Sequence, residues 1–319
     1  MRAKREGKRP KVSVCVVTYN HEDYIRKCLQ SIVDQETDFD FEVLVGEDCS
    51  TDGTRKIVCE FAEKYPHRMK AVLYERNCGP VQNFLYVHSV AQGELVCHCD
   101  GDDYWLPGKL QAQVTFMEQH PECCMAGHRM YREDDGGQLR EDGRGNCDIL
   151  DSVMDVSAFY RHGNFLAHSS TMYRASSGRV PDASARGIDY LTHIWRVKDG
   201  RIGYIKQYLG VYRRHAASVT ARMSNSLFHF DINLLALEAI HKIVKDEREF
   251  ERRKFALCVK CIKNYVANGR IDLAREIALR SRHFILKKRY AASLRMMLLF
   301  GDALSIVVRL KRKYISSVA

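Results

Sequence analysis

The chain has 319 residues, of which 45% are hydrophobic, enough for one large or two modest domains with buried cores. Its net charge of +10 is uneven, because residues 251–319 hold 17 Lys and Arg against 4 Asp and Glu, which leaves the first 250 residues at −3. A nearly neutral body argues against nucleic-acid binding, and the basic C-terminal part favours an anionic surface as a partner.

The targeting features predict a cytoplasmic protein. No secretory signal is visible, and the apolar stretch 296–308 falls short of the ~20 residues that cross a bilayer. The twelve cysteines lie largely in apolar runs, where a free thiol behaves as a small hydrophobe in a reducing compartment. The basic C-terminal part adds an expected peripheral association with the inner face of the cell membrane.

The first 130 residues alternate between strand and helix patterns. Apolar strands are predicted at residues 12–17, 41–45, 71–74 and 95–99. A helix follows each strand, and its apolar residues recur at helical spacing, as they do at Ile25, Cys28, Leu29 and Ile32. This alternation predicts an α/β fold with a doubly wound, mostly parallel sheet.

The remaining chain is less regular. Residues 132–151 are polar and rich in glycine, which predicts a mobile loop between two halves. Short strands are predicted at residues 171–173, 202–205 and 209–212, and the pattern is helical from Leu227 onward. We therefore predict a domain over residues 1–226, with halves 11–130 and 150–222, and an all-helical, basic C-terminal module over residues 227–319.

Polar side chains follow three of the predicted strands. In a parallel sheet, ligands bind outside the carboxyl ends of the strands. A turn or a helix cap explains any one of these loops alone, since Ser50 and Thr51 are good capping residues. Three such loops at one sheet edge instead predict a binding site, formed by Thr18, Tyr19 and Asn20, by Glu47 and Asp48, and by Asp100, Gly101, Asp102 and Asp103.

The aspartate cluster after the fourth strand is the sharpest chemical signal. Three carboxylates within four residues repel one another unless a cation neutralises them, and hard oxygen ligands suit Mg²⁺ or Mn²⁺. An EF-hand is excluded, because Trp105 and Gln111 stand where its glycine and glutamate are required. A divalent ion at this cluster could bridge two phosphates and stabilise a departing diphosphate.

Four segments together resemble the nucleotide-binding half of family 2 glycosyltransferases, which have the GT-A fold. They are VSVCVVTYN, FEVLVGEDCSTDGT, NCGPVQN and GELVCHCDGDDYWLPGKL, and the resemblance covers residues 11–130. A weaker resemblance continues to about residue 220, through Gly187-Ile188-Asp189-Tyr190 and the segment VYRRH that ends at His215. The chain departs from the family pattern at Gln82, where a basic residue often precedes the asparagine.

The resemblance implies a role for each matching residue. Tyr19 would stack on the donor base and Asp48 would accept its hydrogen bond, while Asp189 would be the general base. Asp100 and Asp102 would form the DxD element, with Asp102 on the metal, Asp100 on the ribose or metal, and His215 completing the metal site. The nucleotide-sugar site would also include the residues Thr18, Asn20, Glu47, Asn83 and Gly101.

The expected function is an inverting, metal-dependent transfer of a sugar to a hydroxyl of a glycan or lipid-linked saccharide, as in bacterial surface polysaccharide synthesis. UDP is the first candidate for the nucleotide carrier, and dTDP and GDP are alternatives. The expected cofactor is Mn²⁺ or Mg²⁺. A sugar-nucleotide pyrophosphorylase is disfavoured, because it would need a glycine-rich phosphate loop after the first strand, and this chain has Thr18, Tyr19 and Asn20 there. The non-enzyme alternative is a glycan-binding or scaffold protein on a GT-A fold.

Smaller alternatives also remain open at this stage. Asp189 could be a surface residue in a connection, and His215 could be a solvated loop residue. His98, His128 and His168 have no motif behind them and are interpreted as structural. The basic helices of the C-terminal module could bind an anionic membrane, or serve only in packing or dimerisation.

Overall fold

The computed structural model describes residues 9–144, 150–177, 189–215 and 226–281. The chain divides into two compact units, Met1–His215 and Ala216–Ala319. The predicted division at residue 226, and the halves 11–130 and 150–222, stay predictions.

The first part of unit one follows the predicted alternation, with most elements extended by a few residues. Its elements are β1 (Val12–Thr18), α1 (Ile25–Val33), β2 (Phe41–Glu47), α2 (Thr54–Lys64), β3 (Met69–Leu73), α3 (Pro80–Ser89), β4 (Leu95–Asp100), β5 (Tyr104–Trp105) and α4 (Lys109–Gln119). The remainder of the unit holds β6 (Cys123–Glu133), β7 (Leu139–Glu141), β8 (Val153–Met154), α5 (Ala158–His162), β9 (Met172–Arg174), α6 (Asp189–Val197) and β10 (Arg201–Arg213).

The described strands form one ten-stranded sheet in the order β3-β2-β1-β4-β9-β6-β10-β5, with β7 paired to β6 and β8 to β10. Strands β3, β2, β1 and β4 are mutually parallel, and β9 runs antiparallel to both β4 and β6. The mostly parallel α/β prediction is confirmed.

The register of the parallel strands explains why the polar loops meet. Thr18 at the end of β1 lies opposite Glu47 of β2, and Val17 lies opposite Asp100 of β4. The three strands therefore end at the same level of the sheet, and the loops that follow them share one edge.

The core forms because these strands are apolar on both faces. Val14, Val16, Val43 and Val45 are inaccessible to solvent on one face, where the apolar stripe of α1 packs, and Cys15 and Leu44 are buried on the other. Burying each such side chain stabilises the fold by roughly 1.5–3 kcal/mol. This packing gives the polar loops a rigid base.

The prediction of a mobile loop over residues 132–151 is wrong where it overlaps β6 and β7, which form a hairpin. Arg132 lies opposite Arg140, and Glu133 opposite Leu139. The turn is closed by the Asp134 carboxylate, which accepts hydrogen bonds from the backbone of Gly136 and Gln138. The same aspartate and glycine residues that predict a loop thus make a tight turn.

Two strands predicted separately, at residues 202–205 and 209–212, are parts of the single strand β10. Its pairing with β6 is irregular between Ile205 and Tyr208 and again before Gly210. These irregularities break the alternation of side chains between the two faces of the sheet, which would otherwise have predicted one long strand.

Unit two consists, in its described part, of three helices, as the periodicity predicted. They are α7 (Leu227–Val244), α8 (Glu247–Ala267) and α9 (Ile271–Arg280). Helix α8 begins at the Asp246 side chain, which caps the Glu249 amide. The helix expected near residues 291–299 and the apolar stretch 296–308 lie outside the described residues. No described helix has both the length and the apolarity needed to span a bilayer.

Replacing Gly46 with alanine should destabilise unit one, because a Cβ on β2 would overlap Asn83 Oδ1 and the Val87 side chain of α3. We expect a loss of about 1–3 kcal/mol in the free energy of unfolding, measured by urea denaturation. Gly143→Ala is the matched control, since its Cβ would enter open space. Equal stability of the two variants would contradict the close packing of β2 on α3.

Candidate active site

The loops after β1 and β2 are joined through Asn20. Its backbone N–H donates to Ser50 Oγ at 3.0 Å, and its side-chain oxygen accepts from the Thr51 amide at 2.9 Å. Asn20 has a φ of +53°, a left-handed conformation that asparagine tolerates better than most residues. The asparagine thus fixes the relative position of the two loops.

The acidic pair at the end of β2 is buried and already engaged. Glu47 binds Arg55 and accepts from the Ser50 amide at 2.7 Å. Both oxygens of Asp48 accept backbone hydrogen bonds, from Cys78 at 2.7 Å and Gly79 at 2.9 Å. The two carboxylates therefore shape the loops around the sheet edge.

Asn83 and Tyr19 differ sharply in exposure. Asn83 lies on α3, is only 2% exposed, and donates to the Gly46 carbonyl at 2.9 Å. Tyr19 is 40% exposed, which makes it one of the exposed large hydrophobic residues of the described chain.

The aspartate cluster lies in the tight connection between β4 and β5, where each carboxylate has different partners. Gly101 is required because a Cβ there would lie 2.6 Å from Thr18 Oγ1 and 3.0 Å from His21 Nδ1. The loops after β1 and β4 therefore pack directly against each other.

Asp100 ends a chain of hydrogen bonds through the interior. Its Oδ1 lies 3.0 Å from His98 Nε2, His98 Nδ1 lies 3.0 Å from His88 Nε2, and His88 Nδ1 lies 2.6 Å from the Tyr173 hydroxyl. Burial is the largest cause of two pKa shifts in this chain: it raises the pKa of Asp100 to about 6 and lowers the pKa of His98 to about 3. Burial also lowers the pKa of His88, so both rings are neutral.

The direction of this chain follows from those charges. An ionised Asp100 only accepts, so His98 donates from Nε2 and accepts at Nδ1 from His88, which in turn accepts from Tyr173. The three donors point one way, toward Asp100. The structural interpretation of His98 stays a prediction, and this contact gives it a specific partner.

Asp102 contacts two histidines. His215, at the end of β10, places Nε2 3.0 Å from Asp102 Oδ2, and His21 Nε2 lies 3.9 Å from the same oxygen. Burial alone would raise the pKa of Asp102, but the His215 hydrogen bond and the two histidine charges lower it overall. Tyr24 stacks on His215 at a ring separation of 4.6 Å and so limits its movement.

Asp103 is 1% exposed and belongs to the framework of the site. It accepts from the Arg213 backbone at 2.9 Å and from Ser169 Oγ at 2.6 Å. The Arg213 side chain in turn donates to the Asp102 carbonyl at 2.9 Å and pairs with Glu133. Asp103 therefore holds the end of β10, and with it His215, against the aspartate turn.

Asp189 begins α6 and is partly buried. Asn164 Nδ2 lies 3.4 Å from Asp189 Oδ2, and the Tyr190 amide donates to Oδ1 at 2.7 Å. The negative charge of Asp189 helps to raise the pKa of Asp100, after burial, so the two carboxylates are within electrostatic reach.

The structure thus brings together Thr18, Asp100, Gly101, Asp102 and His215. Tyr19 and Asn20 stand beside this group, and Glu47, Asp48 and Asn83 lie buried at the neighbouring edge. Asp189 is hydrogen-bonded to Asn164 and Tyr190 instead. Sequence reasoning missed His21, Ser169 and Arg213 as contributors. His21 directly follows the first polar loop, but no sequence signal marks Ser169.

The donor set at Asp102 fits a divalent ion. One carboxylate oxygen and the ring nitrogens of His21 and His215 all lie within 4.8 Å of one another. Oxygen and imidazole nitrogen together suit first-row transition ions such as Mn²⁺. A recess of about 180 Å³ opens beside His215 and is lined by Tyr24, Glu133, Asp134, Asp135, Gly137, Arg213 and Arg214.

The chain matches a known family and several known proteins. The model of "Glycosyl transferase family 2" matches residues 13–179, just over half of the chain. An uncharacterised protein of Mycobacterium tuberculosis is 34% identical over 214 residues, and the match covers 65% of this chain and 60% of that relative's length. The putative glycosyltransferase EpsE of Bacillus subtilis is 28% identical over 265 residues, which cover 83% of this chain and 84% of EpsE.

A solved structure supports the fold. Residues 1–349 of Staphylococcus aureus TarS, in complex with UDP-GlcNAc, superimpose with a TM-score of 0.63 at 20% identity. The superposition covers 93% of this chain and 89% of that one. The fold is therefore of the GT-A type.

The Asp103 carboxyl should make stability depend on pH. Burial, followed by the charges of Asp102 and Asp100, raises its pKa well above the usual value of about 4. The folded state then holds this proton more tightly than the unfolded state, so stability declines as the pH rises from about 4 through the raised pKa. In EDTA, Asp103→Asn should decline less than the wild type between pH 5 and pH 8.

Asp103→Asn should keep the contacts with Arg213 and Ser169. The side-chain oxygen of asparagine can accept from the Arg213 backbone N–H, and its NH₂ group can donate to Ser169 Oγ. Asp103→Ala should instead lose about 1–3 kcal/mol, since it leaves the Arg213 amide without its acceptor. Urea denaturation at each pH is the measurement, with the exposed Asp38→Asn as control. If the stability of Asp103→Asn falls with pH as much as that of the wild type, Asp103 is not the group with the raised pKa.

Proposed function

The chain belongs to glycosyltransferase family 2, and from that premise we propose that it transfers a sugar from a UDP-sugar to a saccharide hydroxyl with inversion, using a divalent ion. The observation that carries the proposal is the Asp102–His215 contact at 3.0 Å, which joins the aspartate turn to the end of β10. Such a pair lies where a diphosphate would meet the carboxyl edge of the sheet.

In this proposal the donor base stacks on the exposed ring of Tyr19. Glu47, Asp48 and Asn83 act through the loops that they hold, because all three are buried. Thr18, Asn20 and Gly101 set the spacing between the loops after β1, β2 and β4. UDP is supported as the carrier by the TarS complex with UDP-GlcNAc.

Asp102 and His215 hold the metal, and Asp100 binds the ribose or the same metal. A Mn²⁺ or Mg²⁺ ion bound there supplies positive charge to the departing diphosphate. Asp100 is held in place by His98, and Asp102 by the backbone contact with Arg213. The carboxylates are therefore already oriented when the donor arrives.

Asp189 acts as the general base that removes the proton from the acceptor hydroxyl. A single in-line displacement inverts the anomeric centre and needs only one base. The Asn164 amide and the Tyr190 backbone orient the Asp189 carboxylate at the start of α6.

The acceptor is a bacterial surface glycan or a lipid-linked saccharide in this proposal. This acceptor class is supported by a further protein to which the chain is similar, the putative teichuronic acid biosynthesis glycosyltransferase TuaG of Bacillus subtilis. Cationic side chains on α8, among them Lys260 and Lys263, would hold the enzyme at an anionic membrane surface. Arg252 and Arg253 contribute less, since both pair with Glu249.

A donor screen tests the function. Purified protein is mixed with UDP-, GDP- and dTDP-sugars in Mn²⁺ or EDTA, with and without saccharide acceptors, and release of nucleoside diphosphate is followed. We expect release from a UDP-sugar only with the metal, and a loss of about 100-fold or more in Asp102→Ala. Donor binding that is unaffected by metal, without release on any acceptor, would favour the glycan-binding alternative.

Asp189→Asn should lower kcat by about 10²–10⁴-fold and leave the donor dissociation constant within a few-fold of wild type, because the base acts on the acceptor. Transfer rates and isothermal titration with UDP in Mn²⁺ separate the two quantities. Asp199→Asn is the control, since Asp199 is 78% exposed and binds only Lys198 among the described residues. A kcat near that of the control would remove Asp189 as the base.

A further inference from the structure

His21 lies near the same Asp102 oxygen as His215 does. Its Nε2 lies 3.9 Å from Asp102 Oδ2, the oxygen that His215 approaches to 3.0 Å. The planes of the two imidazole rings are perpendicular, at a centroid separation of 6.3 Å. The rings therefore approach the same carboxylate oxygen from different directions.

Hydrogen bonds to two threonines position His21. Its backbone N–H donates to Thr54 Oγ1 at 2.7 Å, and its Nδ1 lies 3.3 Å from Thr18 Oγ1. Gly101 lets the ring approach, because a Cβ there would lie 3.0 Å from Nδ1. When Thr18 Oγ1 accepts a hydrogen bond from Nδ1–H, the lone pair of Nε2 points to the Asp102 side.

This arrangement matches how metal-binding histidines are usually supported. One ring nitrogen binds the ion while the other donates to an oxygen that fixes the tautomer. Ligands at about 2.1 Å from one ion and at right angles lie about 3.0 Å from each other. The His215 distance of 3.0 Å already has this value, and the His21 distance of 3.9 Å exceeds it by 0.9 Å.

A second group of this kind, His98, Asp100 and His168, fits an ion poorly. The His98 and His168 rings are stacked at 3.8 Å, so their lone pairs do not converge in the ring planes. Both nitrogens of His98 are already hydrogen-bonded, to Asp100 and His88. Of these two groups in the described part of the chain, the His21 group is the one with ligand geometry.

We propose that His21 is a metal ligand together with Asp102 and His215, and that its imidazole gives the site a preference for Mn²⁺ over Mg²⁺. This inference rests on the proposed function, because it concerns the same ion. Mg²⁺ strongly prefers oxygen ligands, whereas the transition ion Mn²⁺ accepts an imidazole nitrogen more readily than Mg²⁺ does, and Co²⁺ more readily still. Two histidines and one carboxylate leave the remaining positions of the ion open to phosphate oxygens.

The test measures binding of the metal alone to the full chain. Mn²⁺ and Mg²⁺ dissociation constants are determined by titration calorimetry for wild type, His21→Ala, Asp102→Ala and the exposed control His67→Ala. His21→Ala should weaken Mn²⁺ binding by about 10- to 100-fold and Mg²⁺ binding by clearly less. Co²⁺ bound to the variant should show a changed visible spectrum, and thermal melting in EDTA checks the fold.

The outcomes separate the two proposals. If Asp102→Ala binds Mn²⁺ as the wild type does, the metal site of the proposed function is itself wrong. If Asp102→Ala loses Mn²⁺ but His21→Ala does not, His21 is not a ligand. An equal loss of Mn²⁺ and Mg²⁺ affinity in His21→Ala also overturns the proposal, because it indicates a general disturbance of the loop.

A measurement on the unmodified protein guards against a variant that fails to fold. Pulsed electron paramagnetic resonance of bound Mn²⁺ detects the nitrogen nuclei coordinated to the ion. Couplings from both histidines are expected, and coupling from a single imidazole would overturn the proposal.

Discussion

Three carboxylates within one tight turn are the constraint on which the rest of the site depends. Like charges a few ångströms apart repel strongly where water is largely excluded. The structure relieves this repulsion by giving each carboxylate a different partner. Asp103 binds a backbone amide and a hydroxyl, Asp102 binds His215, and Asp100 binds His98.

These partners explain the architecture beyond the nucleotide-binding strands. Strand β10 brings Arg213 and His215 to the turn, and the short turn before β9 brings Ser169. Helix α6 follows, with Asp189 at its first residue and His193 one turn later, beside His168. The second half of unit one therefore completes the aspartate turn as well as carrying the proposed base.

Much of this could be predicted from the sequence, because continuous apolar strands and amphipathic helices leave clear patterns. The β6–β7 hairpin could not, since aspartate and glycine are common to turns and loops. The burial of Glu47, Asp48 and Asn83 could not be predicted from the sequence either. The hydrogen-bonded chain from Tyr173 to Asp100 and the approach of His21 depend on distances between elements, which no local pattern encodes.

The central claim is that Asp102 and His215 hold the ion that meets the diphosphate. The most direct test is a crystal structure with UDP and Mn²⁺, with anomalous diffraction data recorded to locate manganese. The account predicts a manganese peak in contact with Asp102, His215 and the diphosphate. UDP bound at the sheet edge with manganese elsewhere, or with no manganese peak, would contradict it.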